Sequence, residues 1–196
     1  MPENYFRQAT QSGKAVLTPT GRTKYLYFGR DQRYMLTTEL NACNVFILIS
    51  KYGVIMSHIP PIEHSYPTDK KEGERVVRRM MGEVKERYNT IKAMFPKDSS
   101  STRAIAAIAR DENTGKVGMP AIARYIDREM PVDFKRKGVL SAIYYWESIH
   151  TPELTRAGKG TVVVDGSAFD RDDNPTARPK IYVETKISIL IGNGLR

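Results

Sequence analysis

The run Asn44-Val45-Phe46-Ile47-Leu48-Ile49-Ser50 is apolar at every interior position, with no alternation between apolar and polar. A run of seven residues is too short for a buried helix but suits a strand covered on both faces. Lys51-Tyr52-Gly53 then supplies a turn, and Val54–Ile59 returns as a second apolar strand. A hairpin of this kind has no face for water. Whatever else the chain forms must supply one layer above it and another below.

The rest of the chain offers those layers. Val77, Met80, Met81, Val84, Tyr88, Ile91 and Phe95 recur at steps of three and four, predicting a long helix over 69–95. Glu74 with Arg78 and Glu83 with Arg87 are expected to form i,i+4 pairs on it. Its outer face is basic, with eight bases against four acids between Lys70 and Lys92. Pro120 suits the first turn of a second helix with the stripe Ile122, Tyr125, Ile126 and Met130. Strands are expected at 24–28, 34–37, 102–109, 139–146, 160–164 and 180–185, from their β-branched and aromatic content. The order β-β-β-β-α-β-α-β-β-β implies an α/β fold: a mixed sheet or sandwich with two main helices packed on it. Residues 1–20 are polar and hold Pro2, Pro19 and a Ser-Gly pair. They read as a flexible N-terminal arm with at most one short strand, Ala15–Thr18, ahead of a single domain over 21–196.

Length and composition agree with one domain: 196 residues, 40% hydrophobic and 27% charged. No apolar run nears the roughly 20 residues that cross a bilayer, and no secretory signal is seen at the N-terminus. A single cysteine allows no internal disulfide, which points to a cytoplasmic or nuclear setting. The net charge of +9 favours encounter with acidic proteins, and more weakly with nucleic acid. Aromatic clusters at Tyr25, Tyr27, Phe28 and at Tyr144, Tyr145, Trp146 are expected to pack in the core rather than serve as stacking platforms.

Metal and cofactor motifs fail on inspection. Asp170, Asp172 and Asn174 have calcium-loop spacing, but Pro175 and Ile181 stand where glycine and a bidentate glutamate are required. Gly158-Lys159-Gly160-Thr161 lacks the residues of a phosphate loop. Cys43, His58, His64 and His150 are too few and scattered for zinc, so no metal or cofactor is expected. His64 and His150 read as surface residues.

One pair remains. A thiol becomes a useful nucleophile when a base lowers its pKa or takes its proton, and histidine is the usual base. If Lys51 and Tyr52 form a two-residue loop, Val45 faces His58. Cys43 then shares that face as a diagonal neighbour of His58, about 7 Å away at the α-carbons. A three-residue loop would turn the two to opposite faces.

The block Thr37-Thr38-Glu39-Leu40-Asn41-Ala42-Cys43 through His58 resembles the core of the glutamine deamidases. These include the chemotaxis deamidase CheD and the catalytic domains of cytotoxic necrotising factor and Burkholderia lethal factor. That family sets a nucleophilic cysteine before an apolar strand and a histidine on the next, some members adding a threonine six residues before the cysteine. Thr37 holds that place here, and His58 follows Cys43 by 15. The chain is also similar to uncharacterised fungal proteins with the same block, a His-Ile-Pro-Pro segment (here His58–Pro61) and a late Gly-Thr-Val-Val-Val-Asp-Gly strand (here Gly160–Gly166). The resemblance implies a CheD-like fold. It also implies attack by Cys43 on a protein glutamine side chain, with loss of ammonia and hydrolysis of the thioester, or transamidation when an amine replaces water. His58 would act as base and then acid, and Thr37 would orient it. Backbone N–H groups around Ala42 and Asn44 would hold the oxyanion, and the thiol pKa is expected well below its ordinary value. Relatives usually carry glycine in the dipeptide before the cysteine, where this chain has Asn41-Ala42. The competing expectation is a catalytically inactive binding module that uses its basic surface for an acidic protein or nucleic acid partner.

Overall fold

A computed structural model describes residues 4–61, 71–96, 102–111, 122–131, 139–146, 160–167, 179–184 and 186–190. The elements in chain order are α1 (Tyr5–Gln11), β1 (Ala15–Leu17), β2 (Thr23–Tyr27), β3 (Tyr34–Thr37), β4 (Asn44–Ile49), β5 (Gly53–Ile59), α2 (Glu72–Thr90), β6 (Arg103–Asp111), α3 (Ile122–Glu129), β7 (Val139–Trp146), β8 (Val162–Asp165), β9 (Lys180–Val183) and β10 (Lys186–Leu190). The strands form two mixed five-stranded sheets, ordered β2-β5-β4-β6-β7 and β1-β3-β8-β9-β10. Pairs β1/β3 and β6/β7 run parallel and the others antiparallel.

The two-faced hairpin lies at the centre of the first sheet, where its composition requires it. Val45, Ile47 and Ile49 of β4 pack with Val54 and Met56 of β5 against Met35, Val162, Val164, Ile181 and Val183 of the second sheet. Phe46, Leu48, Ile55 and Ile59, on the opposite face, pack under α2 and α3. The expected helix stripe is buried throughout, from Val77 to Phe95, with Ile126 and Met130 beside it. A fully buried side chain of this size contributes about 1.5–3 kcal/mol, so this doubly covered hairpin accounts for much of the fold's stability. A third cluster, Ala9, Tyr34, Leu36, Val163 and Tyr182, covers the outer face of the second sheet under α1. The layers are therefore helix, sheet, sheet, helix.

The N-terminal segment differs from the loose arm expected for residues 1–20. Asn4 caps α1 by accepting from the Arg7 amide (3.0 Å), and Tyr5 stacks on Tyr182 with ring centroids 3.6 Å apart. β1 then adds to the edge of the second sheet. Seven residues are too short to show a helical stripe in the sequence, and packing, not propensity, holds such a helix. The expected i,i+4 pairs also shift: Glu83 bonds back to Arg79 (3.0 Å), and Arg78 lies over the Tyr125 ring. Tyr25 and Tyr27 are exposed on β2 instead of packed in the core. The aromatic cluster at 144–146 has its side chains outside the described residues. Among the described residues no helix is long and apolar enough to cross a membrane.

Gly53 opens β5 where a Cβ would run into the Leu26 carbonyl oxygen and the tip of Met94. The carbonyl is backbone and cannot step aside. Gly53→Ala is expected to lower stability by about 1–3 kcal/mol, read as a fall in urea midpoint at unchanged slope. A midpoint equal to wild type would show that β2 and the hairpin are less tightly joined than this packing implies.

Candidate active site between the sheets

The hairpin closes with the two-residue loop. Val45 pairs with His58 and Ile49 with Val54, and the Ser50 amide donates to the Gly53 carbonyl (2.9 Å). Cys43 joins the inter-sheet cluster of Val45, Ile47 and Met56, so Cys43 and His58 do share one face. Thr37 lies two residues from the inward-facing Met35 on β3 and reaches the same space from the other sheet. Its Oγ1 lies 2.7 Å from His58 Nδ1.

One tautomer satisfies both contacts of the Thr37 hydroxyl. The Thr37 hydroxyl has one hydrogen and donates it to the Thr18 carbonyl (2.8 Å). Thr37 Oγ1 must then accept from Nδ1–H, which leaves Nε2 as the bare basic nitrogen. Nε2 is buried and has no hydrogen-bond partner among the described residues, so no hydrogen bond joins it to the thiol. Thr18 directly follows β1, and its carbonyl is a site group that sequence reasoning missed. The turn Pro19–Arg22, with Gly21 at φ 69°, continues over the histidine: the Gly21 amide donates to the His58 carbonyl (2.9 Å), and Thr20 Oγ1 lies 3.5 Å from Nδ1. Pro-Thr-Gly could have been read as a turn. Nothing in the sequence said that the turn would land on His58.

Ahead of the thiol, Glu39 and Ala42 both adopt left-handed backbone, at φ 59° and 56°. This conformation costs a non-glycine residue roughly 1–2 kcal/mol, so the turn ahead of the thiol carries local strain. Asn41 is exposed, Ala42 half-buried and Cys43 5% exposed, so the thiol sits just beneath the surface turn. Asn44 serves differently from the oxyanion role expected of it. Its side-chain Oδ1 accepts from the Ala109 amide (3.2 Å), tying β4 to β6. Ladder alternation counted from Ser50 and Gly53 directs its backbone N–H to Ile59. Of the two expected oxyanion donors, only Ala42 lies outside that ladder.

Burial governs the electrostatics. The Cys43 thiol is pushed up to about 12 by desolvation, against a smaller opposing effect of the Asn41 backbone. His58, with 0% exposure, is pushed down to about 4 by desolvation, the Thr18 backbone opposing. The resting pair is therefore a neutral thiol and a neutral imidazole. This departs from the lowered thiol pKa expected of a ready nucleophile, and the reason is the dry packing between the sheets. Transfer of the proton in this closed state is uphill by on the order of 10 kcal/mol. Among the described residues no group of three or more His, Cys, Asp or Glu is placed to hold a metal. His64 and His150 lie outside the described residues.

No protein-family model matches the chain, and no curated protein matches it.

Two outcomes follow from this geometry. Between pH 6.5 and 4 the unfolded histidine takes up a proton that folded His58 refuses. Stability is therefore full above that window and falls within it, by on the order of 3 kcal/mol. Urea midpoints from neutral pH to 4 should show this slope in wild type and lose it in His58→Gln; equal slopes would place the imidazole in water. Thr37→Val strands both Nδ1–H and the Thr18 carbonyl and is expected to cost about 2 kcal/mol. Thr37→Ser, which keeps the hydroxyl, should recover most of that in the same assay.

Proposed function

We propose that this protein is a cysteine-dependent amidohydrolase of glutamine-deamidase type, closed at rest, with Cys43 as nucleophile and His58 as base. The carrying observation is the chain Thr18 carbonyl, Thr37 hydroxyl, His58 Nδ1, which leaves Nε2 bare and unsatisfied on the face it shares with Cys43. A buried polar atom without a partner costs about 1–3 kcal/mol and returns nothing to a purely structural core. Left-handed backbone at Ala42 adds local strain at the same place, as is common around reactive groups.

In this reading a glutamine side chain enters beside the Asn41–Ala42 turn. The thiol proton passes to Nε2 as sulfur bonds to the carboxamide carbon, with the Ala42 amide facing the developing oxyanion. The imidazolium returns its proton to the departing nitrogen, releasing ammonia and leaving a thioester. Water, deprotonated by His58, then attacks; the carbon–sulfur bond breaks and glutamate is released. An amine in place of water gives transamidation. The neutral resting pair avoids a permanently reactive thiolate: proton transfer becomes accessible as the substrate amide brings polar groups into the dry space.

Burial of the pair favours a second reading, an inactive module of the same fold that binds an acidic partner. A diazoketone analogue of glutamine separates the two. The enzyme should be alkylated at Cys43 far faster than by iodoacetamide, and His58→Ala should slow that labelling by about 10²–10⁴-fold. Equal rates with both reagents, unaffected by His58→Ala, would leave the binding module. Mass spectrometry of a protein extract incubated with wild type or Cys43→Ser then identifies glutamines converted to glutamate.

A further inference from the structure

β2 is an outer strand of the first sheet, and β5 is its one neighbour among the described strands. The bonds from the Phe28 amide to the Tyr52 carbonyl (3.0 Å) and from the His58 amide to the Arg22 carbonyl (3.1 Å) set the alternation of that ladder. Even-numbered residues of β2 address β5. The N–H and C=O groups of Thr23, Tyr25 and Tyr27 therefore point outward along an edge that is open among the described residues. Such a row is a template for another strand unless it is masked.

The side chains at this edge indicate what it accepts. Tyr25 and Tyr27 are 39% and 53% exposed and meet edge to face, ring centroids 6.0 Å apart. Tyr52 is 47% exposed in the neighbouring turn, with the Lys51 ammonium 4.8 Å over its ring. Between Thr18 and Phe28 the chain carries Arg22 and Lys24 and no acid, within a protein of net charge +9. Among the described residues the main chain is open while the aromatic faces are partly occupied, by each other and by Lys51. Base stacking needs the reverse. Edge-to-edge pairing of two copies would bring Arg22, Lys24 and Lys51 of both together, a like-charge cost.

We propose that the open edge of β2 binds an extended, acidic segment of a partner protein as an added strand. The outward amides and carbonyls of Thr23, Tyr25 and Tyr27 form the ladder, and the tyrosines cover its apolar side chains. This proposal does not depend on chemistry at Cys43.

The probe is a short soluble peptide of alternating glutamate and valine, with an alternating lysine and valine peptide as control. In wild type the acidic peptide should slow hydrogen exchange at the Tyr25 and Tyr27 amides about tenfold or more and leave Lys24 and Leu26, already bonded to β5, unchanged. Tyr25→Pro removes one outward N–H without touching the β5 ladder, a position where an edge strand tolerates proline. It should weaken the peptide about tenfold, whereas Tyr25→Thr, which keeps the N–H, weakens it less. Should Tyr25→Pro fail to fold, the exchange pattern in wild type decides alone. Equal protection by the lysine peptide would overturn the proposal. So would slow exchange at Tyr25 and Tyr27 before any peptide is added, protection of these amides by self-association, or displacement of the acidic peptide by oligouridylate.

Discussion

The register of the β4–β5 hairpin is the constraint on which the rest of the molecule depends. With two residues in the loop, one set of side chains faces α2 and α3 and the other faces the second sheet. One more residue would reverse both sets, though each face is apolar enough to be buried either way. Hydrophobicity alone therefore specifies the register weakly. The exceptions along the strand give it direction: Asn44 must meet Ala109, and His58 must meet Thr37. Each buried polar group finds its partner in one register and would be stranded in the other. The candidate site and the device that aligns the hairpin are the same residues.

This dual use explains why the N-terminal segment belongs to the domain. His58 is held by Thr37 from the opposite sheet, and Thr37 is held by the carbonyl that follows β1. β1 is only three residues long and would be weak on its own, but α1 packs over the same sheet through Tyr5 and Tyr182. Orientation of one imidazole thus draws on α1, β1, β3 and β5. The pair stays neutral at rest for the same reason: a space closed by two sheets disfavours charge on either partner.

Much of the architecture was legible because it follows from periodicity. The hairpin, the α2 stripe and the β-rich remainder are written in spacings that burial alone enforces, and the Val45–His58 pairing follows from counting the loop. The parts that were not legible depend on contacts distant in sequence. Nothing near Thr18 announces that its carbonyl will receive the Thr37 hydrogen nineteen residues later. α1 has too few turns to show a face. Lys186–Leu190, by contrast, carries alternating Ile187 and Ile189. It pairs with β9 across a turn at Glu184 (φ 51°), where the left-handed residue is not the glycine that would have signalled a hairpin. Ala42 is the same case: side chains that tolerate positive φ at a cost conceal turns that glycine would reveal. The high thiol pKa could not be read either, since it is a property of the covering layer and not of the cysteine or its neighbours.

The exposed tyrosines show the limit of composition in the other direction. Tyr25 and Tyr27 look like core residues because aromatics in strands usually are, yet their strand is an edge and their face extends past the covering helix. A protein whose central strands are sealed on both sides has few places to meet a partner through its main chain, and β2 is one of them. β2 leads back within five residues to β1 and to the turn over His58. A strand laid along β2 would therefore bear on the segment that closes the site. Pro19–Arg22 connects the two: the Gly21 amide donates to the His58 carbonyl, and the His58 amide donates to the Arg22 carbonyl just ahead of β2. The turn that covers His58 is in this way continuous with a strand at the edge of the first sheet.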